Sequence, residues 1–198
     1  LEDGKITDDY RITQSLPTVQ ELLRHDVKLV ICSHQGRPSG PEDTDHSLFP
    51  VAKRLSQVLD RQVEFAPDCV GEPAAKAVGK LHRGGVLLLE NLRFHPEEEA
   101  DDDGFAGQLA SLADIFVQDG FGVVHRKHAS TYAITRHLPS VAGLLLEKEV
   151  TTITRAMENP ERPLMAIVGG AKIADKLDVL ERFIKIADFV AIGGAMAN

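Results

Sequence analysis

Six short apolar runs, each bounded by glycine or polar residues, constrain the fold of this chain more than any other feature. They are VKLVICS (27–33), VEFA (63–66), GVLLLEN (85–91), DIFVQD (114–119), PLMAIVGG (163–170) and DFVAIGG (188–194). Continuous Val, Ile and Leu runs of this length suit strands buried on both faces of a parallel sheet. Segments of helical period separate them. Residues 17–25 begin with Pro17, which a first helical turn tolerates because its missing N–H would be unpaired there. Residues 47–60 align Leu48, Val51, Ala52, Leu55, Val58 and Leu59 on one face. Residues 102–113 and 173–187 repeat the pattern, the latter through Ile173, Leu177, Leu180, Ile184 and Ala187. A longer stretch, 143–158, spaces Leu146, Val150, Ile153 and Met157 by four, three and four. The alternation predicts an α/β fold with a mainly parallel sheet.

Sheets of this class bind ligands beyond the carboxyl ends of their strands. Function is therefore to be sought in the residues just past each strand. After 27–33 come His34 and Arg37; after 85–91, Arg93 and His95; after 114–119, His125, Arg126 and His128; after 163–170, Lys172 and Lys176. The chain carries 22 Lys and Arg against 30 Asp and Glu, a formal charge of -8. Cations gathered at successive strand ends of an acidic chain predict one basic rim, with the first three loops converging and the fourth set beyond the long helix. The plain alternative is that each loop is simply solvated. Arginine dominates the first three loops, and its planar fork suits carboxylate and phosphate. Gly36, Gly40, Gly120 and Gly122 would let backbone approach a ligand. In GGAK, 169–172, a strand end opens a helix, a geometry that binds phosphate, although a tight turn would also use Gly169 and Gly170. Neither GxxxxGK(S/T) nor GxGxxG occurs there. The acidic run PEEEADDDG, 96–104, is expected to cap and solvate the next helix, and Asp119 to orient His125 or Arg126.

Composition excludes several classes. No apolar run approaches bilayer length. An acidic balance and an aromatic content of 5% argue against nucleic-acid binding. Cys32 and Cys69 lie in unlike surroundings and suggest neither a disulfide framework nor a zinc site, so a reducing cytoplasm fits best. The opening LEDGKITDDYRI reads like the tail of a turn and FVAIGGAMAN stops just after a strand, as in a piece of something longer.

Long blocks of the chain resemble phosphoglycerate kinase, in the family's order. They are DDYRI (8–12), SHQGRP (33–38), LLLENLRFHPEEE (87–99), FVQDGFGVVHRKHAS (116–130), AGLLLEKE (142–149), IVGGAKIADKLDVL (167–180) and IGGAMAN (192–198). The resemblance implies a glycolytic phosphotransferase with a carboxyl group as acceptor. It moves a phosphoryl group between 1,3-bisphosphoglycerate and MgADP, giving 3-phosphoglycerate and MgATP. It implies Rossmann-like parallel sheets flanked by helices, in two domains that close by hinge bending. Residues 1–142 would be the phosphoglycerate-binding domain without its first strand, 143–160 the interdomain helix, and 161–198 the start of the nucleotide-binding domain. Carried over residue by residue, Arg11 and Lys172 would be catalytic. Arg11, His34, Arg37, Arg93, His125, Arg126 and His128 would hold the phosphoglycerate. Gly169, Gly170, Ala171, Lys172, Lys176, Gly193 and Gly194 would hold the nucleotide. No metal ligand is expected within these residues, the acidic contact to Mg²⁺ falling after Asn198. Gln118 and Gly120 depart from the family's usual Asn and Ala. The chain alone is expected to be inactive, and the whole protein a cytoplasmic monomeric kinase with no nucleic-acid or membrane partner.

Two rivals remain. A non-catalytic anion-binding α/β module would keep the rim but lose the transfer lysine, and Lys172 is present. A dinucleotide-dependent oxidoreductase would need a glycine fingerprint after the first strand, where SHQGRP stands instead.

Overall fold

The computed structural model describes residues 6–170 and 177–194. It divides into two compact units, Leu1–Glu147 and Lys148–Asn198. The first contains α1 (Tyr10–Arg24), β1 (Leu29–Ile31), α2 (Phe49–Leu59), β2 (Val63–Phe65), α3 (Gly71–Lys80), β3 (Val86–Leu88), α4 (Pro96–Glu99), α5 (Asp103–Ala110), β4 (Phe116–Gln118) and β5 (Ser140–Ala142). Helix α6 (Leu144–Glu158) begins in the first unit, and β6 (Met165–Gly169), α7 (Leu177–Ile186) and β7 (Phe189–Gly193) follow it.

Among the described residues every strand pairing is parallel, as the buried apolar runs predict. These strands fall into three separate ladders, β1-β3-β2, β4-β5 and β6-β7. Strand β3 is central in the first ladder, and its period of two divides the core. Val86 and Leu88 enter a cluster with Leu48, Ala52, Leu55 and Val63. Leu87 and Leu89 enter another with Ala66, Cys69, Phe105, Leu109 and Ile134. Partly buried Val30 and Phe116 pack on that second cluster, so β1 and β4 share a core although they are not hydrogen-bonded to each other.

Several elements differ from the sequence reading. Helix α1 starts well before residue 17 and carries Pro17 in its interior. A proline inside a helix costs about 3 kcal/mol. The stripe Ile12, Leu16, Val19, Leu23 repays it: Ile12, Leu16 and Leu23 pack against the β3–α2 cluster and Val19 is buried. The longer helix puts Arg11 in its first turn. Helix α3 and strand β5 carry too little apolar periodicity to be read in advance; α3 buries only Ala74 and β5 is exposed throughout. Of the helix expected at 173–187, residues 173–176 lie outside the described residues. Cys32 and Cys69 are not in unlike surroundings: Cys32 packs on the cluster that contains Cys69.

Candidate functional site

The rim is assembled by buried polar side chains at the end of β3. Glu90 is 8% exposed and accepts hydrogen bonds from Ser47 Oγ (2.6 Å) and from the backbone N–H groups of Leu48 (2.7 Å) and Asn91 (2.8 Å). Asn91 is fully buried. Its amide donates to the carbonyls of Gln35 and His46, both at 2.9 Å, and its Oδ1 accepts from the N–H of Gln35 (3.3 Å) and Arg93 (3.0 Å). All four lone-pair and donor positions are thus used. Two loops distant in sequence, 33–46 and 91–94, are locked together, and His34 is fixed relative to Arg93. Gly36 is required at the junction. It has φ +62°, and a Cβ there would lie 2.2 Å from the His46 ring.

The third loop is held by Glu98. Its carboxylate accepts from Ser130 N–H (2.9 Å) and Ser130 Oγ (2.6 Å), and lies 3.6 Å from His128 Nδ1. Its carbonyl accepts from Ala129 N–H at 2.9 Å. The expectation that 96–104 merely caps and solvates a helix is therefore corrected for Glu98, which is 2% exposed. Asp102 does cap α5, accepting from Phe105 N–H at 2.7 Å. Asp119 caps the start of α6 through Leu145 and Leu146 N–H, at 2.9 and 3.2 Å, rather than orienting His125 or Arg126.

These constraints concentrate charge at one point. Burial, then the positive charges of Arg93, Arg126, His128 and Arg11, push the His34 imidazole from 6.5 down to about 4. His34 is consequently neutral at pH 7; burial is the larger cause, and four basic groups from three other segments add to it in the same direction. Arg93 is the most enclosed, its side chain 8% exposed. Its Nη1 donates to Gly36 O at 2.7 Å. Glu99 Oε1 sits 3.1 Å from Nε but is not aligned for a hydrogen bond, so Nε and Nη2 are buried without a hydrogen-bond partner. A shortfall of this kind is costly and gathers where a ligand completes the set.

Arg24, Arg54, Arg136, Arg155 and Arg162 each pair with a carboxylate. Among the described residues, Arg11, Arg37 and Arg126 pair with none; Arg61, Arg83 and Arg182 also lack a carboxylate partner, so it is the grouping around His34 that singles out the rim. Arg37 and His125 are exposed and are not among the charges that shift His34. His95 bonds Asp68 Oδ1 at 2.7 Å instead of facing the rim group. A concavity of about 640 Å³ lined by Phe65, Lys76, Lys80 and Leu81 includes none of the rim residues; charge and enclosure locate the site.

At the carboxyl ends of β6 and β7, Gly169 stands opposite Gly193. A Cβ on Gly169 would lie 3.4 Å from Gly193 O, and one on Gly194 3.5 Å from Gly170 N. The four glycines leave bare backbone side by side, which fits a flat or phosphorylated ligand. Ala171, Lys172 and Lys176 lie outside the described residues.

The polar positions Glu90, Asn91 and Glu98 were the residues that sequence reasoning missed. Their signal was present: a Glu-Asn pair closing the apolar run of β3 has to find buried partners.

The sequence profile of phosphoglycerate kinase matches residues 1–198. The phosphoglycerate kinase of Moorella thermoacetica is 50% identical over 198 residues, covering 100% of this chain and 50% of the relative. That of Desulforudis audaxviator is 52% identical over 197 residues, with the same coverage. Among solved structures, phosphoglycerate kinase from Pyrococcus horikoshii aligns with a TM-score of 0.89 at 35% identity, over 100% of this chain and 51% of the other. The Coxiella burnetii enzyme gives 0.82 at 35% identity, over 100% and 50%. The chain thus spans about half the length of the curated relatives it matches. It belongs to the phosphoglycerate kinase family.

Proposed function

We propose that this chain supplies the phosphoglycerate-binding half of a phosphoglycerate kinase, the enzyme that moves a phosphoryl group between 1,3-bisphosphoglycerate and MgADP. One observation carries the reading: Arg93, Arg126, His128 and Arg11 act together on His34, and among the described residues neither Arg11 nor Arg126 has a carboxylate partner. A small dianion with a carboxylate suits such a group. Arginine forks bind both ends bidentately, and neutral His34 offers a further ring nitrogen. Arg37 and His125, exposed at the mouths of their loops, are assigned to the same ligand on the family match.

Phosphoryl transfer passes through a loose transition state with charge on its equatorial oxygens, so positioning and electrostatic clamping supply most of the catalysis. Arg11 is assigned to that charge. Arg11 stands exposed in the first turn of α1 and has no carboxylate partner among the described residues. Lys172 is assigned the same task, and this rests on the family match alone. The 3-phosphoglycerate carboxylate is already ionised at neutral pH, so no general base is needed, and none of the rim groups has to act as one.

Bound Mg-nucleotide would supply the phosphoryl donor or acceptor. Gly169, Gly170, Gly193 and Gly194 are proposed to hold it by backbone contact, with Ala171, Lys172 and Lys176. The Mg²⁺ contact is assigned to no residue of this chain. No helix among the described residues is long and apolar enough to cross a membrane, and a cytoplasmic monomer remains the proposed setting.

Calorimetry tests the reading. The chain is expected to bind 3-phosphoglycerate and not NAD, with binding weakened on Arg37→Ala or Arg93→Ala. Equal binding of both ligands, or heat with 3-phosphoglycerate that is indifferent to Arg93, would overturn it. Isolated, the chain is expected to form no ATP from 1,3-bisphosphoglycerate and MgADP.

A further inference from the structure

We propose that Asp68, Cys69 and His95 form a binding site for a single thiophilic divalent cation of the zinc class, separate from the phosphoglycerate site and from the Mg²⁺ that accompanies nucleotide. Asp68 and Cys69 follow β2, and His95 follows the turn that carries Arg93. One carboxylate oxygen, the Cys69 Sγ and a His95 ring nitrogen all lie within 4.8 Å of one another. Carboxylate, thiolate and imidazole are the three side-chain donors zinc uses, whereas magnesium and calcium want a shell of oxygens. The sequence shows no zinc spacing, because the donors come from two loops that only the parallel sheet brings together.

The triad is set up for an ion. His95 Nε2 lies 2.7 Å from Asp68 Oδ1, which also accepts the Cys69 N–H at 2.6 Å. Asp68 Oδ2 has no hydrogen-bond partner among the described residues. The His95 ring packs on Phe105 with centroids 5.3 Å apart, which fixes its plane. The Asp68 and His95 side chains are 37% and 25% exposed, while Cys69 is fully buried. An ion would enter past the carboxylate and imidazole, and the thiol would close the site from the core. Water on the open side provides a fourth ligand. Tetrahedral zinc spaces its nitrogen and oxygen ligands about 3.3 Å apart, so a small parting of His95 from Asp68 admits it.

An ordinary cysteine thiol carries its proton at neutral pH, and a metal takes the thiolate. Binding breaks the S–H bond, forms the S–metal bond and releases the proton to solvent; affinity therefore falls as pH falls.

Cobalt(II) is a direct probe, because only a cobalt–thiolate bond gives an intense near-ultraviolet charge-transfer band. The chain is expected to take up a single Co²⁺ with that band and with release of protons in weak buffer, and to lose the band when Zn²⁺ is added. Cys69→Ser should abolish the band and Cys32→Ser should leave it. His95→Gln should weaken binding at least tenfold, and it decides the matter alone if Cys69→Ser does not fold. Uptake of Co²⁺ without the band, a band that survives Cys69→Ser, or affinity unchanged in His95→Gln would overturn the proposal.

Discussion

In the first unit β3 is buried on both faces, Leu87 at 0% and Leu88 at 1% exposure, with two clusters packed against its alternate residues. In the second, β6 alternates strictly. Ala166 and Val168 are buried, and Val168 packs with Leu180, Phe183 and Val190, while Met165 and Ile167 are 56% and 77% exposed. Phe189 on β7 is 63% exposed. The polar sites built on the two units differ in the same sense. The basic rim rests on Glu90, Asn91 and Glu98, each buried and fully hydrogen-bonded. The glycine edge of β6 and β7 offers backbone alone. A set of like charges has to be held against its own repulsion, and only a finished core with satisfied polar anchors does that. A glycine edge needs no such support.

This contrast predicts that phosphoglycerate binding belongs to the first unit alone. The largest effect should come from Arg93→Met or Arg126→Met. Each removes charge-assisted hydrogen bonds worth about 1.5–3 kcal/mol apiece, so calorimetry with 3-phosphoglycerate should show a tenfold to more than hundredfold loss. Glu98→Gln comes next. It turns an acceptor into a donor opposite Ser130 N–H and should cost about 1–3 kcal/mol in urea unfolding, with weaker anion binding because His128 loses its anchor.

A smaller effect concerns acid stability. His34 titrates at about 4 in the folded chain against an ordinary 6.5. Between those values the unfolded chain binds the extra proton, so stability is full above about 6.5 and falls as pH drops toward 4. His34→Gln should flatten that part of the stability profile, measured by thermal melts from pH 7 to 4. The smallest effect, none, is expected on 3-phosphoglycerate binding from Gly193→Ala. A loss there comparable to that of Arg93→Met would break the contrast.

Much of this was readable in the residues. The β-branched runs announce parallel strands because a strand covered on both faces has no polar face to show. The rule that ligands sit beyond strand ends then singles out His34, Arg93 and Arg126 before any coordinates. Other features depend on tertiary partners. Pro17 looks like a helix start until Ile12 and Leu16 are seen packing on the β3–α2 cluster. Glu98 sits in a run of acids and is distinguished only by Ser130, far along the chain. Strand β5 lacks any apolar run, since its three residues are exposed and its pairing with β4 is a backbone matter. The low titration of His34 comes from its burial and then from charges of distant segments, neither of which a local pattern encodes.

The convergence of these charges can be measured directly by following the His34 imidazole through a pH titration by NMR. The account predicts a midpoint near 4 in the native chain. It should rise in Arg93→Gln and in Arg126→Gln, and rise again when 3-phosphoglycerate is added. An ordinary midpoint near 6.5, unmoved by either substitution or by ligand, would mean that the basic side chains do not meet, and would contradict the account.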